Sequence, residues 1–149
     1  MDEQTILGID PGMSGGMAII GIDSGQIIQV EKFKDKTLHD IAEVMDEWKE
    51  GFEIKLAMLE LVHSMPKQGV SSTFKFGTSY GFLMGLLTAL KVPYEQVTPQ
   101  KWQKFLSCQS GGNKNVTKAK AQELWPAEKI THAIADAMLI AEYGRRTVK

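Results

Sequence analysis

The stretch TILGIDPGMSGGMAIIGI, residues 5–22, decides the fold. Residues 5–10 are a short apolar run that stops at Asp10 and the breaker pair Pro11-Gly12, the pattern of a buried strand. Residues 16–22 make a second such run. Asp23-Ser24-Gly25 reads as a tight turn, and residues 26–33 return as a third strand. The chain therefore opens as a β-meander whose first strand ends on an aspartate.

Downstream, the hydrophobic period changes from two to that of a helix. Thr37 occupies an N-cap position, with Asp40 three residues on and Leu38, Ile41, Met45 and Trp48 at helical spacing. Residues 54–62 suit a buried strand, and a loop with Pro66 and Gly69 follows. Ser71 or Ser72 is the expected cap of a long helix reaching about Leu90. Residues 93–97 are a short strand, and Thr98-Pro99 starts another helix. Residues 107–116 read as a polar, glycine-containing loop. Helices are expected at about 117–124 and 131–143, the latter capped by Thr131. This order predicts one α/β domain over residues 1–149. Its mixed five-stranded sheet joins an antiparallel meander to parallel strands and is flanked by helices.

Composition bounds the function. The chain has 149 residues, 43% apolar and 23% charged, an ordinary balance for one compact domain. It contains no apolar run of 18 residues, so no membrane partner is expected. The N-terminus has no basic segment leading into an apolar one, and Cys108 is a lone cysteine without a disulfide partner. A cytoplasmic setting is the expectation, with Cys108 a structural residue. The net charge of −1 hides a strong asymmetry. Residues 1–60 hold 13 acids against 5 lysines, whereas residues 61–122 hold 8 lysines and only Glu95. That basic half can bind phosphates, or its lysines can simply be solvated.

Three acids stand out from apolar surroundings. Asp10 ends the first strand, Glu60 lies near the end of the fourth, and Asp136 sits among Ala133, Ile134, Ala135, Ala137 and Met138. His132 precedes Asp136 by one helical turn, on the same face. A buried carboxylate without a partner is costly. Three of them converging at one sheet edge would repel one another unless a cation neutralised them. Hard oxygen ligands suit Mg²⁺ or Mn²⁺, and two ions about 4 Å apart would clamp a phosphodiester under attack. Asp10 before Pro11-Gly12 also has a plainer reading as a turn residue, and His132 as a surface residue of the first helical turn, whereas Glu60 and Asp136 in apolar surroundings are hard to explain structurally.

Five ordered segments carry a resemblance. Ile9-Asp10-Pro11-Gly12 with Ser14-Gly15-Gly16, Leu59-Glu60 at a strand end, and residues 135–141 (ADAMLIA) resemble motifs of the RuvC-type Holliday junction resolvases. The segment 69–81 and the run Val97 to Trp102 resemble the compact members found in phages and related bacterial proteins. The resemblance spans about residues 6–146. It implies a ribonuclease H-like fold and a homodimeric, metal-dependent endonuclease that nicks four-way DNA junctions in symmetric pairs. It also implies Asp10, Glu60 and Asp136 as metal ligands; for in-line attack of water, Asp10 is expected to bridge two ions, Glu60 to hold one, and Asp136 with His132 the other. The family's usual fourth acid is replaced here by His132, which can bind a metal or orient water and would favour Mn²⁺ over Mg²⁺.

For the DNA, Lys101, Lys104, Lys114, Lys118 and Lys120 lie in a 27-residue run, Gln96 to Gln122, without one acid. Lys67 and Lys75 flank the segment after Glu60, together with Met65, Phe74 and Phe76. These apolar side chains either stack on an unpaired base or pack in the core. Arg145, Arg146 and Lys149 touch DNA or complement a helix C-terminus. Gly77, Gly81 and Gly85 recur every four residues on the long helix, each costing about 1 kcal/mol against alanine. Another backbone therefore approaches that stripe: the same helix of a second subunit, or the sheet beneath. Two rivals share the acids: an RNA-processing nuclease of the same superfamily, and a non-catalytic module that binds branched DNA. A phosphotransferase of the actin-like superfamily needs two lobes, for which the chain is too short.

Overall fold

Alternation along the two central strands sorts the core into two layers. In β1 (Gln4–Asp10), Ile6 packs into one hydrophobic cluster while Leu7 and Ile9 pack into the other. In β4 (Glu53–Glu60), Leu56 and Met58 join the first cluster, and Ala57 and Leu59 the second. By the same parity, Asp10 and Glu60 lie on the face of Ile6 and Met58. This computed structural model describes residues 3–62 and 68–149. The remaining elements are β2 (Gly16–Gly21), β3 (Ile27–Lys32), α1 (Leu38–Gly51), α2 (Val70–Ala89), β5 (Tyr94–Val97), α3 (Pro99–Phe105), α4 (Lys114–Leu124) and α5 (His132–Thr147).

The sheet order is β3-β2-β1-β4-β5. The meander β1-β2-β3 is antiparallel, and β4 and β5 run parallel to β1. This is the mixed five-stranded α/β architecture expected from the sequence. One face carries α5 with Trp102 of α3 and Ala121 of α4; the other carries α1 and α2 through Ile41, Met45, Trp48, Leu83 and Leu87. Among the described residues, no helix is long and apolar enough to cross a membrane.

Helix α1 starts as its sequence predicts. The Thr37 hydroxyl accepts from the Asp40 amide at 3.0 Å, and the Asp40 carboxylate accepts from the Thr37 amide at 2.9 Å. Two other starts differ from expectation. Helix α2 begins at Val70 behind Gly69, without a side-chain cap from Ser71 or Ser72. Helix α4 begins at Lys114, inside the stretch read as a loop. Gly111 and Gly112 take positive φ values of 58° and 90°, and the Asn113 side chain then accepts from the Asn115 amide at 3.0 Å. Thr131 does stand at the N-cap of α5, but makes no side-chain hydrogen bond there.

Helix α5 lies unusually close to the sheet because glycine lets it. A Cβ on Gly8 of β1 would fall 2.3 Å from the Ala137 carbonyl oxygen and 2.4 Å from the Ala141 nitrogen. One on Gly16 of β2 would fall 3.0 Å from the Ala133 oxygen. The glycine stripe of α2 behaves oppositely. A Cβ on Gly77, Gly81 or Gly85 would meet nothing within 4 Å among the described residues, so the sheet is not what approaches that stripe.

Candidate active site

The site grows from strand pairing. The parallel register sets Ile9 beside Leu59, which places Asp10 next to Glu60 at the carboxyl ends of β1 and β4. Both are largely buried, at 8% and 7% exposure. The turn after β1 is tight: a Cβ on Gly15 would lie 2.0 Å from the Asp10 carbonyl oxygen, so only glycine fits there. The close seat of α5 over Gly8 and Gly16 then brings the first turns of that helix, with Asp136, over the same strand ends.

The electrostatics register the convergence. Burial pushes the Asp10 carboxyl well above the usual carboxylate range, the negative charges of Glu60 and Asp136 push it further, and Lys114 pulls against them. Burial raises Glu60 to about 7; the Trp102 N–H and Lys114 oppose the rise, and the Asp136 charge adds to it. Asp136 is raised by burial and held down by the Thr117 hydroxyl, Lys114 and His132. The Asp10 and Glu60 carboxyls also share a hydrogen bond. These three acids resist being charged together, which is the condition a bound cation relieves.

The donor set is all oxygen and suits a hard divalent cation by its chemistry. The side chains do not close into a cage: no group of three His, Cys, Asp or Glu among the described residues has metal-site geometry. Asp10, Glu60 and Asp136 are the residues that would hold such an ion. His132 is exposed on the first turn of α5, and its charge is felt at Asp136.

Among the described lysines named from sequence, Lys114 is the one the fold brings to the acids, where it acts on all three. Its position in the first turn of α4, rather than in a loop, is what fixes it there. Lys75, Lys101 and Lys104 are exposed, and Lys118 is partly buried. Lys120 is partly buried and pairs at 4.0 Å with Glu123. Lys67 and Met65 fall outside the described residues. Phe74 is 75% exposed, so core packing is not its role. Phe76 stacks on Tyr80 with ring centroids 6.1 Å apart, and its ring lies 4.0 Å from where a Gly12 Cβ would be. The head of α2 therefore flanks the Asp10 turn. Arg145 and Arg146 stand elsewhere. Arg145 donates to the buried Glu142 carboxylate at 2.8 and 2.9 Å and to the Ile22 carbonyl at 3.2 Å, and Arg146 donates to Glu142 as well. They are a structural pair at the opposite end of the sheet, not a DNA contact of this site. Cys108 is buried, as a structural residue should be.

Two contacts escaped the sequence reading. The Trp102 indole Nε1 donates to Glu60 Oε2 at 2.7 Å, and the buried Thr117 hydroxyl bonds Asp136. Partners 42 and 19 residues apart leave no local pattern to read.

No family model matches the chain, and no curated protein matches it by sequence. Its fold is similar to that of solved structures. Thermus thermophilus RuvC in complex with a Holliday junction substrate is 17% identical, over 97% of this chain and 96% of that one, with a TM-score of 0.74. A second T. thermophilus RuvC structure gives 17% identity, 95% coverage of each chain and a TM-score of 0.72. The yeast mitochondrial Holliday junction resolvase gives 14% identity over 94% of this chain and 75% of that one, with a TM-score of 0.53. The sheet order, the mixed strand directions and this likeness make the fold ribonuclease H-like, of the form seen in RuvC.

Proposed function

We propose that this chain is a metal-dependent endonuclease that resolves four-way DNA junctions by paired, symmetric nicks. The observation that carries the proposal is the meeting of Asp10, Glu60 and Asp136 beside Lys114, on a fold similar to a RuvC solved with a junction substrate. A divalent cation, Mg²⁺ or Mn²⁺, held by the three carboxylates would activate water and stabilise the charge that develops on the phosphodiester. Asp10, which feels the charges of both Glu60 and Asp136, would be a ligand common to the ions if two are bound. Lys114 offsets the acids' negative charge and so lowers the electrostatic barrier to an approaching phosphate. His132, one helical turn before Asp136, would bind a metal or orient the attacking water. The exposed Phe74 ring, two residues from the Phe76 that flanks the Asp10 turn, would stack on a base unpaired at the crossover. Lys75, Lys101, Lys104 and Lys118 would hold backbone phosphates.

Paired nicks call for two sites, and we place the second in another copy of the chain. The open stripe Gly77, Gly81, Gly85 of α2 gives a partner helix close access.

The test is cleavage of a labelled four-way junction with Mg²⁺ or Mn²⁺, beside linear duplex and structured RNA, with Asp10→Asn as control. Paired nicks in the junction alone, absent from the variant, are expected. Full activity in Asp10→Asn refutes the site, and preference for RNA favours the RNA-processing reading. Binding without cleavage under either metal favours the non-catalytic module.

A further inference from the structure

Trp102 has no exposed surface, yet its indole carries a donor that a core must satisfy. Helix α3 fixes where that donor points. Thr98 caps the helix by accepting from the Lys101 amide at 3.3 Å, and Pro99 occupies its first position. The ring packs among buried apolar residues beneath α5. Its Nε1 then donates to Glu60 Oε2 at 2.7 Å. An indole N–H donates once and accepts nothing, so it engages one carboxylate oxygen and does not occupy the other. The same carboxyl group shares a hydrogen bond with Asp10. Glu60 is thus held between a fixed donor behind it and the acid cluster in front.

We infer that Trp102 is a positioning residue for Glu60: its indole N–H anchors Oε2 and so presents the carboxylate to the cation site in one orientation. The inference rests on the metal-dependent reading proposed above and assigns Trp102 no contact with substrate. A merely structural Trp102 would serve through its volume alone. A ring without the N–H would then leave ion affinity unchanged wherever the protein folds.

The experiment uses the full chain and Mn²⁺ as probe, with free Mn²⁺ read by electron paramagnetic resonance. Trp102→Phe keeps a ring and removes the donor. Its Mn²⁺ midpoint is expected to rise about tenfold, the lower end of what removing a ligand's supporting hydrogen bond costs. Junction affinity without metal should not change. In a Glu60→Gln background the same substitution should add nothing further. An unchanged midpoint in folded Trp102→Phe overturns the inference, as does an equal rise in both backgrounds. If Trp102→Phe does not fold, the wild-type indole N–H resonance decides. The Trp102 signal should move with Mg²⁺, while that of Trp125, bonded to the Gly25 carbonyl at the far end of the sheet, stays put. A Trp102 signal indifferent to Mg²⁺ overturns the inference. Wild-type protein that neither binds Mn²⁺ nor cleaves overturns the proposed function and this inference with it. Wild-type protein that binds and cleaves, beside an indistinguishable Trp102→Phe, overturns the inference alone.

Discussion

Gly8→Ala separates local propensity from packing, because the two predict opposite signs. Judged by β1 alone, replacing glycine within a strand removes unfolded-state entropy and stabilises by about 0.4–1 kcal/mol. Judged by the fold, the new methyl would lie 2.3 Å from the Ala137 oxygen and 2.4 Å from the Ala141 nitrogen. Both obstacles are backbone atoms of α5 and cannot rotate away. Reaching ordinary contact at about 3.4 Å requires the helix to retreat by roughly 1 Å, a cost at the upper end of the ~1–3 kcal/mol typical of overpacked sites. For a domain of this size, about 3 kcal/mol lowers the melting temperature by roughly 6–12 °C. The retreat also carries Asp136 away from Asp10 and Glu60. A displacement of about 1 Å in a reacting constellation can cost about 100-fold in rate. The assay pairs thermal unfolding with junction cleavage well below the melting transition. Gly51→Ala serves as control, since a Cβ there meets nothing within 4 Å. A Gly8→Ala protein as stable and as active as wild type would refute the placement of α5 and the argument that glycine seats Asp136.

In metal-free protein, stability should fall as pH rises. Glu60 is raised by burial from an ordinary 4.5 to about 7, so between those values the folded state keeps a proton that the unfolded state has released. The loss from Glu60 alone amounts to about 3 kcal/mol, Asp10 adds to it in the same direction, and added Mg²⁺ should restore the stability. Denaturant unfolding with chelator at pH 5 and pH 8, then with Mg²⁺, measures both, and equal stability at the two pH values contradicts the burial argument. Phe74→Ala should leave the melting temperature unchanged, because the ring is 75% exposed, while slowing junction cleavage; an unaltered rate removes the base-stacking role. Gly81→Leu puts a bulky side chain on the open stripe of α2 and should convert a dimer to a monomer in light scattering, with cleavage of the two strands becoming uncoupled. A wild-type monomer under cleavage conditions would argue against the α2 pairing.

Much of the architecture was local enough to read. The run ending at Asp10 declared β1, the turn at Gly25 closed the meander, and Thr37 with Asp40 formed the capping box their spacing implies. Asp10, Glu60 and Asp136 stood out because a carboxylate inside an apolar segment needs a reason. Errors fell where local signals compete. Gly111 and Gly112 look like loop, and they are, but Asn113 then caps a helix that begins at once. Lys114 was accordingly read as a loop contact to phosphate rather than as the cation beside the acids.

The sequence by itself determined the order of strands and helices, though not the starts of α2 and α4, and the identity of the three acids, because hydrophobic period, breaker residues and caps act within a few positions of one another. Tertiary structure alone decided their meeting. Strand order and register set Asp10 beside Glu60, and glycines on β1 and β2 let α5 lower Asp136 over them. It also supplied the Trp102 N–H to Glu60 and the Thr117 hydroxyl to Asp136, and it turned the α2 glycines outward. Those outcomes depend on distances between residues far apart in the chain, which side-chain volumes and sheet pairing fix only once the core has closed.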